Sequence, residues 1–288
     1  LPGHKGVFGV GNIIGIDIGG STTKIVGYNN GAIFSPLLVK ANDPIASVYG
    51  AFGKFLNANN LQLSDVDRVM VTGVGSSYIT SRLHNIPTGK VSEFQSIGLG
   101  GRLLSNISNA IIVSMGTGTA FIKADDKGVR HLGGSGVGGG TLLGLSHTML
   151  NVGNFNDLIE TAQGGNLAHV DLTIGDISRD VLVGLPPDTT ASNFGKLSDL
   201  ASKADLAVGI INLVFQTIGL LAVFASRVDQ TKDIVLTGNL VNVPQAPEIF
   251  AQLSQLFNVN FVIPPNAEFA TAAGAAVSFL DGVDYQEF

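Results

Sequence analysis

The stretch IDIGGSTTKIV, residues 16 to 26, constrains the fold most: two apolar runs of strand length are joined by Gly19, Gly20 and three hydroxyl residues, with Asp17 closing the first run. Two β-type runs separated by a short glycine turn read as a hairpin. The same plan recurs at NAIIVSM, GTGT and AFIKADD, residues 109 to 126. The repetition predicts two similar sheet halves facing each other across a cleft. Glycine makes up 38 of 288 residues, nearly twice the usual share of roughly 7%. The glycines cluster in such turns, which points to a backbone built for close approach to a ligand.

Around these hairpins the pattern is that of an α/β protein with mixed sheets. NIIGIDI, TKIVGYN and AIFSPLLV read as strands, PIASVYGAFGKFLNAN as a helix, and VDRVMVTG as a strand ending in a turn. VRHLGG reads as a further strand, GVGGGTLLGLSHTML as a glycine loop opening a helix, and FNDLIETAQ as another helix. Residues 164 to 198 lack periodicity and contain Pro186 and Pro187, so loops and short elements are expected there. A long helix over 204 to 227 follows, then the strand DIVLTG, the helix PEIFAQLSQLF, the strand NVNFVI and an Ala/Gly-rich helix over 267 to 280. The segment 206 to 225 is nearly long enough to span a bilayer. Gly209, Asn212, Gln216 and Gly219 give it a small and polar stripe at helical spacing, so it reads as a buried central helix rather than a membrane span.

Composition removes several function classes. A net charge of −6 argues against a nucleic-acid surface, which is held mainly by Lys and Arg. No cysteine is present, which excludes disulfides, thiolate nucleophiles, iron–sulfur clusters and Cys-based zinc sites. The histidines have no metal-ligand spacing. The first fifteen residues lack the pattern of a signal peptide, so a cytoplasmic protein without membrane association is expected.

Four glycine turns carry the chemistry. In the first, Gly19 and Gly20 bring backbone N–H groups toward an anion, Ser21, Thr22 and Thr23 add hydroxyls, and Lys24 adds a positive charge. Asp17 points a carboxylate to the same place, where it could hold Mg²⁺, usually through water. The second turn contains Gly116, Thr117, Gly118 and Thr119, and the third, with Gly138, Gly139, Gly140 and Thr141, feeds a helix N-terminus that attracts anions. The fourth, LTGNLV, places Gly238 and Asn239 at a strand end. Neither the Walker pattern nor the Rossmann fingerprint occurs in its required context.

Together DIGGSTTK, SEFQSIGLG, SMGTGT, LGGSGVGGGTLLGL and TTASNFG resemble, in order and spacing, the type II pantothenate kinases of the acetate kinase, sugar kinase, heat-shock chaperone and actin superfamily. The resemblance runs from about residue 13 to 281. It implies two similar ribonuclease H-like domains around a nucleotide cleft, at 1–108 and 109–288, with the last helix packing back on the N-terminal domain. It also implies ATP- and Mg²⁺-dependent phosphorylation of pantothenate, the first step of coenzyme A synthesis. By this resemblance Glu93 is the general base, and the four turns with Phe155 surround ATP. Thr190 and Ala191, in DTTASNFG, lie at the pantothenate end. Relatives place an Arg where this chain has His131, with Arg130 one residue earlier. Either a bulge returns Arg130 to the substrate, or His131 replaces it, or recognition differs. A homodimer is implied, with the 206 to 225 helix as a contact, and a coenzyme A thioester is a candidate feedback ligand. Two alternatives are a kinase of another small alcohol such as an amino sugar, and a non-catalytic ATP-binding regulator.

Overall fold

The structure, a computed structural model, describes residues 11–20, 22–40, 43–180 and 184–288. In chain order the first elements are β1 (Asn12–Ile18), β2 (Thr22–Asn29), β3 (Ala32–Lys40), α1 (Pro44–Ala58), β4 (Val66–Thr72), β5 (Thr88–Lys90) and α2 (Glu93–Ser105). Next come β6 (Ala110–Met115), β7 (Thr119–Asp125), β8 (Gly128–Ser135), α3 (Gly139–Leu150), α4 (Phe155–Thr161), β9 (Leu172–Thr173), α5 (Ile174–Ile177) and β10 (Thr190–Ser192). The chain closes with α6 (Lys203–Val228), β11 (Asp233–Thr237), α7 (Ala246–Phe257), β12 (Asn260–Val262), α8 (Ala270–Ser278) and β13 (Gln286–Glu287).

Two compact units result. One takes in the described residues up to Ile112 together with Ile122–His131 and Pro264–Phe288; the other takes in Val113–Phe121 and Leu132–Ile263. Among the described residues the first unit holds a sheet of order β13-β5-β4-β1-β2-β3, in which β1 is antiparallel to β2 and parallel to β4. β3 is an edge strand, and its pairing with β2 shifts register between Phe34 and Leu37, which leaves Pro36 outside the ladder where its missing N–H is tolerated. The sheet is covered on both faces, and this explains why NIIGIDI is a continuous apolar run. Ile14, Ile16, Ile18, Val69 and Val71 pack against Phe52 and Phe55 of α1. Ile13 and Met70 meet Ala275 and Ala276 of α8 on the other face.

Helix α2 lies on α8 at unusually close range. A Cβ on Gly100 would stand 1.7 Å from the Ala270 carbonyl oxygen, and one on Gly274 would stand 1.7 Å from the Ser96 carbonyl oxygen. Only hydrogen fits at either position, so the pair of glycines fixes how α2, and with it Glu93, sits on the sheet.

A five-stranded sheet has the order β12-β11-β6-β7-β8, and β9 pairs with β10 in a separate two-stranded sheet. The long helix α6 is apolar and long enough to cross a membrane, but Ile210, Ile211, Val214, Phe215, Ile218, Ala222 and Val223 are buried in the protein. Its small and polar stripe also faces inward: Gly209 abuts Val170, Asn212 bonds Asp171, and Gly219 abuts Leu253 of α7. Among the described residues, the stretch 164 to 198 forms only short elements, consistent with its lack of periodicity. One expected strand is shorter than NVNFVI suggests, because Asn258 ends α7 in a left-handed cap at φ 53° and pairing begins at Asn260.

Candidate active site

In the first unit the site is built at the carboxyl ends of the parallel strands, where ligands of open α/β sheets bind. Asp17 is the penultimate residue of β1 and is paired in register with Lys24 of β2 on one side and Thr72 of β4 on the other. The hairpin turn is closed by Gly19 N–H donating to the Thr22 carbonyl at 2.9 Å, and Gly20 is exposed with open space beside it. Ser21 lies outside the described residues. Thr22 is half-buried, but Thr23 is turned inward, with its hydroxyl accepting from Ser47 of α1 at 2.6 Å. The Thr23 side chain is therefore a core contact rather than an anion donor, because alternation along β2 sends it to the opposite face from Lys24.

Glu93 is the first residue of α2 and is half-buried. Burial raises its carboxyl above the usual range, and repulsion from Asp17 raises it further. Asp17 is itself raised by burial, which the Lys24 charge opposes. Lys24 is lowered by burial, against the pull of Asp17 and Glu268. The structure thus brings the candidate base, the candidate metal carboxylate and the lysine into one electrostatically coupled group.

Two members of this group have no counterpart among the sequence-derived candidates. Gly73 follows β4 at φ 84°, and a Cβ there would stand 2.5 Å from Asp17 Oδ1. The turn ending VDRVMVTG marks the glycine, but its contact with Asp17 depends on strand order. The Thr72 hydroxyl, fully buried beside Asp17, has no hydrogen-bond partner. Among the described residues no group of three His, Cys, Asp or Glu could hold a metal ion. A single carboxylate with an unpartnered hydroxyl beside it fits Mg²⁺ held mostly by water and phosphate, as that ion prefers, rather than a closed protein cage.

His131 and Phe94 stack with ring centroids 3.9 Å apart and planes 8° from parallel. A Cβ on Gly98 would meet Val129 at 2.5 Å, so Val129 and His131, two apart on β8, both face α2. Alternation then turns Arg130 to the other face of the strand. His131 sits against the residue that follows Glu93.

In the second unit the second and third turns are laced together. Gly139 and Gly140 donate their N–H groups to the carbonyls of Gly116 and Thr117, each at 2.9 Å. The Thr119 hydroxyl donates to the Val137 carbonyl at 2.8 Å, and the Thr141 hydroxyl to the Gly136 carbonyl at 3.0 Å. Two assignments change as a result. The first two donors of α3 are engaged by the neighbouring turn, and the Thr119 and Thr141 hydroxyls lock the loops rather than point at a ligand. Thr117 remains exposed on the turn. Phe155 lies beside Gly139, and Gly238, at φ 89°, abuts the Met115 carbonyl, with the exposed Asn239 next to it. The structure therefore brings 116–119, 138–141, Phe155 and 238–239 together.

Elsewhere in this unit the Thr190 hydroxyl, on β10, accepts from Gln216 Nε2 at 3.1 Å and Asn212 Nδ2 at 3.4 Å. Thr190 and Gln216 line a cavity of about 850 Å³. Ala191 is exposed beside Thr190.

The two mixed sheets are those of the acetate kinase, sugar kinase, heat-shock chaperone and actin fold. The activator of 2-hydroxyisocaproyl-CoA dehydratase from Clostridium difficile, solved with bound ADPNP, has a TM-score of 0.67 at 18% identity, covering 94% of this chain and 95% of that one. A ROK family glucokinase from Streptomyces griseus, in complex with glucose and AMPPNP, has a TM-score of 0.59 at 12% identity, covering 92% and 98%. Within that fold the chain belongs to the Fumble family, whose model matches residues 102–260. It is also similar to a type II pantothenate kinase of Bacillus cereus, 27% identical over 283 residues, covering 91% of this chain and 96% of the relative.

Proposed function

We propose that the protein transfers the γ-phosphoryl group of ATP to the hydroxyl of pantothenate, forming 4′-phosphopantothenate in the first step of coenzyme A synthesis. The observation that carries this reading is the pairing of Glu93 with Asp17: a half-buried carboxyl at a helix start, raised by burial and by a second carboxylate. A general base works best with a pKa nearer the operating pH, and this environment moves Glu93 in that direction.

Glu93 accepts the proton of the substrate hydroxyl as that oxygen attacks the γ-phosphorus, and the bond to the β–γ bridging oxygen breaks to release ADP. Asp17 and the turn at 19–22 hold the phosphate end of the nucleotide, with Lys24 adding positive charge. Asp17, with the Thr72 hydroxyl beside it, would hold Mg²⁺ if it is bound there, and the ion would supply positive charge for the phosphates. Residues 116–119, 138–141, Phe155, Gly238 and Asn239 shape the remainder of the ATP site as backbone and an aromatic wall. Thr190, Ala191 and His131 contact pantothenate, with Arg130 at the margin.

The same reading includes catalytic domains at 1–108 and 109–288 and a cytoplasmic enzyme acting as a homodimer. Leu221, Phe224 and Val228 form an exposed apolar stripe along α6 suited to a second copy. Inhibition by a coenzyme A thioester is part of the proposal, since such a molecule shares the pantothenate moiety.

The test is ATP consumption by the purified protein with Mg²⁺, across pantothenate and a panel of sugars and amino sugars. Turnover with pantothenate alone is expected. Turnover only with another alcohol would keep the phosphate chemistry and reassign the substrate, an outcome that the placement of His131 where relatives carry Arg makes worth measuring. ATP binding without any turnover would favour a regulator.

A further inference from the structure

On the face of the first sheet that α8 covers, three side chains stand in one cross-strand row: Thr72 of β4, Asp17 of β1 and Lys24 of β2 are register partners. Their strand neighbours fix that face. Thr23 and Ile25 turn to the α1 side, whereas Val26, two residues from Lys24, packs with Phe269, Ala272 and Ala273. Lys24 is 6% exposed. A buried ammonium is normally paired, and cross-strand partners have Cβ atoms about 5 Å apart, close enough for a direct contact between opposite charges. Yet among the described residues no hydrogen bond or ion pair joins Lys24 to Asp17.

A second carboxylate acts on the same ammonium. A turn of 3₁₀ helix, Ala267–Phe269, leads into α8 and packs against both β2 and α2. Its backbone is fixed: Asn266 precedes it in the left-handed region at φ 58°, the Ala267 N–H donates to the Pro264 carbonyl at 3.2 Å, and the Phe269 N–H donates to the Asn266 carbonyl at 2.8 Å. Ala267 and Phe269 are buried, and Phe269 packs with Val26, so the half-buried Glu268 between them is brought to the part of β2 that carries Lys24. Asp17 and Glu268 both favour the charged form of Lys24, against its burial. The first acts along the sheet, and the second acts from the layer that covers it.

We infer that Glu268 is a positioning residue: its pull from the helix layer offsets that of Asp17 along the sheet, and so keeps the Lys24 ammonium off Asp17 and open to a phosphate oxygen of the nucleotide. The inference rests on the ATP reading above, and all of its residues belong to the first unit.

The sign of the effect separates this role from a plain effect of charge. Glu268 is negative, so if its charge acted alone, removing it would tighten the binding of an anionic phosphate. If it positions Lys24, removing it lets the ammonium settle on Asp17, and binding weakens. The test is ADP affinity by calorimetry, without and with Mg²⁺, in Glu268→Gln, which keeps the shape and drops the charge. The dissociation constant should rise about fivefold in both conditions, part of what a charge-assisted hydrogen bond contributes. Glu268→Asp keeps the charge on a shorter stem and should weaken ADP about twofold, and it carries the test if Glu268→Gln does not fold. In a Lys24→Met background Glu268→Gln should cause no further loss, because residues that act through one another are not additive.

Tighter or unchanged ADP binding in Glu268→Gln, or in Glu268→Asp where that variant carries the test, would overturn the inference and leave the nucleotide reading intact. An equal loss in the Lys24→Met background would do the same, since Glu268 would then act without Lys24. Wild-type protein that binds no ADP would instead overturn the nucleotide reading, and the inference with it.

Discussion

The hairpin at 17–24 and the turns at 116–119 and 138–141 are written in nearly the same residues, yet they offer different things. The first is closed by one backbone hydrogen bond, leaves Gly20 open, and is surrounded by charge from Asp17, Lys24 and Glu93. In the second and third, the Gly139 and Gly140 N–H groups and the Thr119 hydroxyl bond across to the other loop, the Thr141 hydroxyl bonds within its own loop, and neither span holds a charged residue. Glycine and threonine in a turn therefore do not define a job. In the first unit the turn leaves open space beside charged groups, whereas in the second the turns make a hydrogen-bonded backbone surface.

If that division holds, the largest effect comes from the charged side. Glu93→Gln keeps the shape of the side chain and removes the base. It should lower kcat by roughly 10² to 10⁴, the usual contribution of a positioned general base, while ATP affinity measured by calorimetry stays within about twofold. Retained turnover would remove Glu93 from the mechanism and leave the charged group without a catalytic role. The next effect belongs to the backbone side. A Cβ on Gly138 would stand 2.7 Å from the Thr117 carbonyl oxygen and 2.8 Å from Gly118 Cα. Gly138→Ala must push the two turns apart, at about 1 to 3 kcal/mol for such overpacking. The expected outcome is a lower unfolding midpoint and a raised KM for ATP, with the pantothenate KM unchanged. A selective rise in the pantothenate KM would break the comparison by showing that these turns do more than shape the nucleotide site.

How much of this was legible in the sequence depended on whether a property was local. The hairpin pairing Asp17 with Lys24 was readable because a two-strand register follows from the turn. The four glycine turns were readable because glycine clusters have few other uses. The direction of each hydroxyl was not readable, and Thr23, Thr119 and Thr141 show why: their environments are set by α1 and by a second loop, not by their neighbours in the chain. Glu93 could be assigned as a base only through the family resemblance. What couples it to Asp17 is the seating of α2 on α8 through Gly100 and Gly274, a contact no local pattern announces. The polar stripe of Asn212 and Gln216 was visible at helical spacing, but its target, the chain of Asp171 and Thr190, appears only once the segment 170–190 is folded against α6.

The smallest effect tests whether the charged group acts as a unit. Glu93 is raised first by burial and then by the negative charge of Asp17. A base is active when ionised, so kcat/KM should fall on the acid side as Glu93 is protonated, with a midpoint above the ordinary glutamate value of about 4.3. Asp17→Asn removes the repulsion but not the burial. The Glu93 titration, followed by carbon NMR of its carboxyl so that any loss of Mg²⁺ binding does not obscure it, should therefore move to lower pH and still stay above the ordinary value. A titration that does not move would mean that burial alone sets Glu93 and that Asp17 and Glu93 work independently. A shift all the way to the ordinary value would mean that the repulsion dominates, and the first unit would then owe its chemistry to the close placement of two carboxylates rather than to the apolar seat of one.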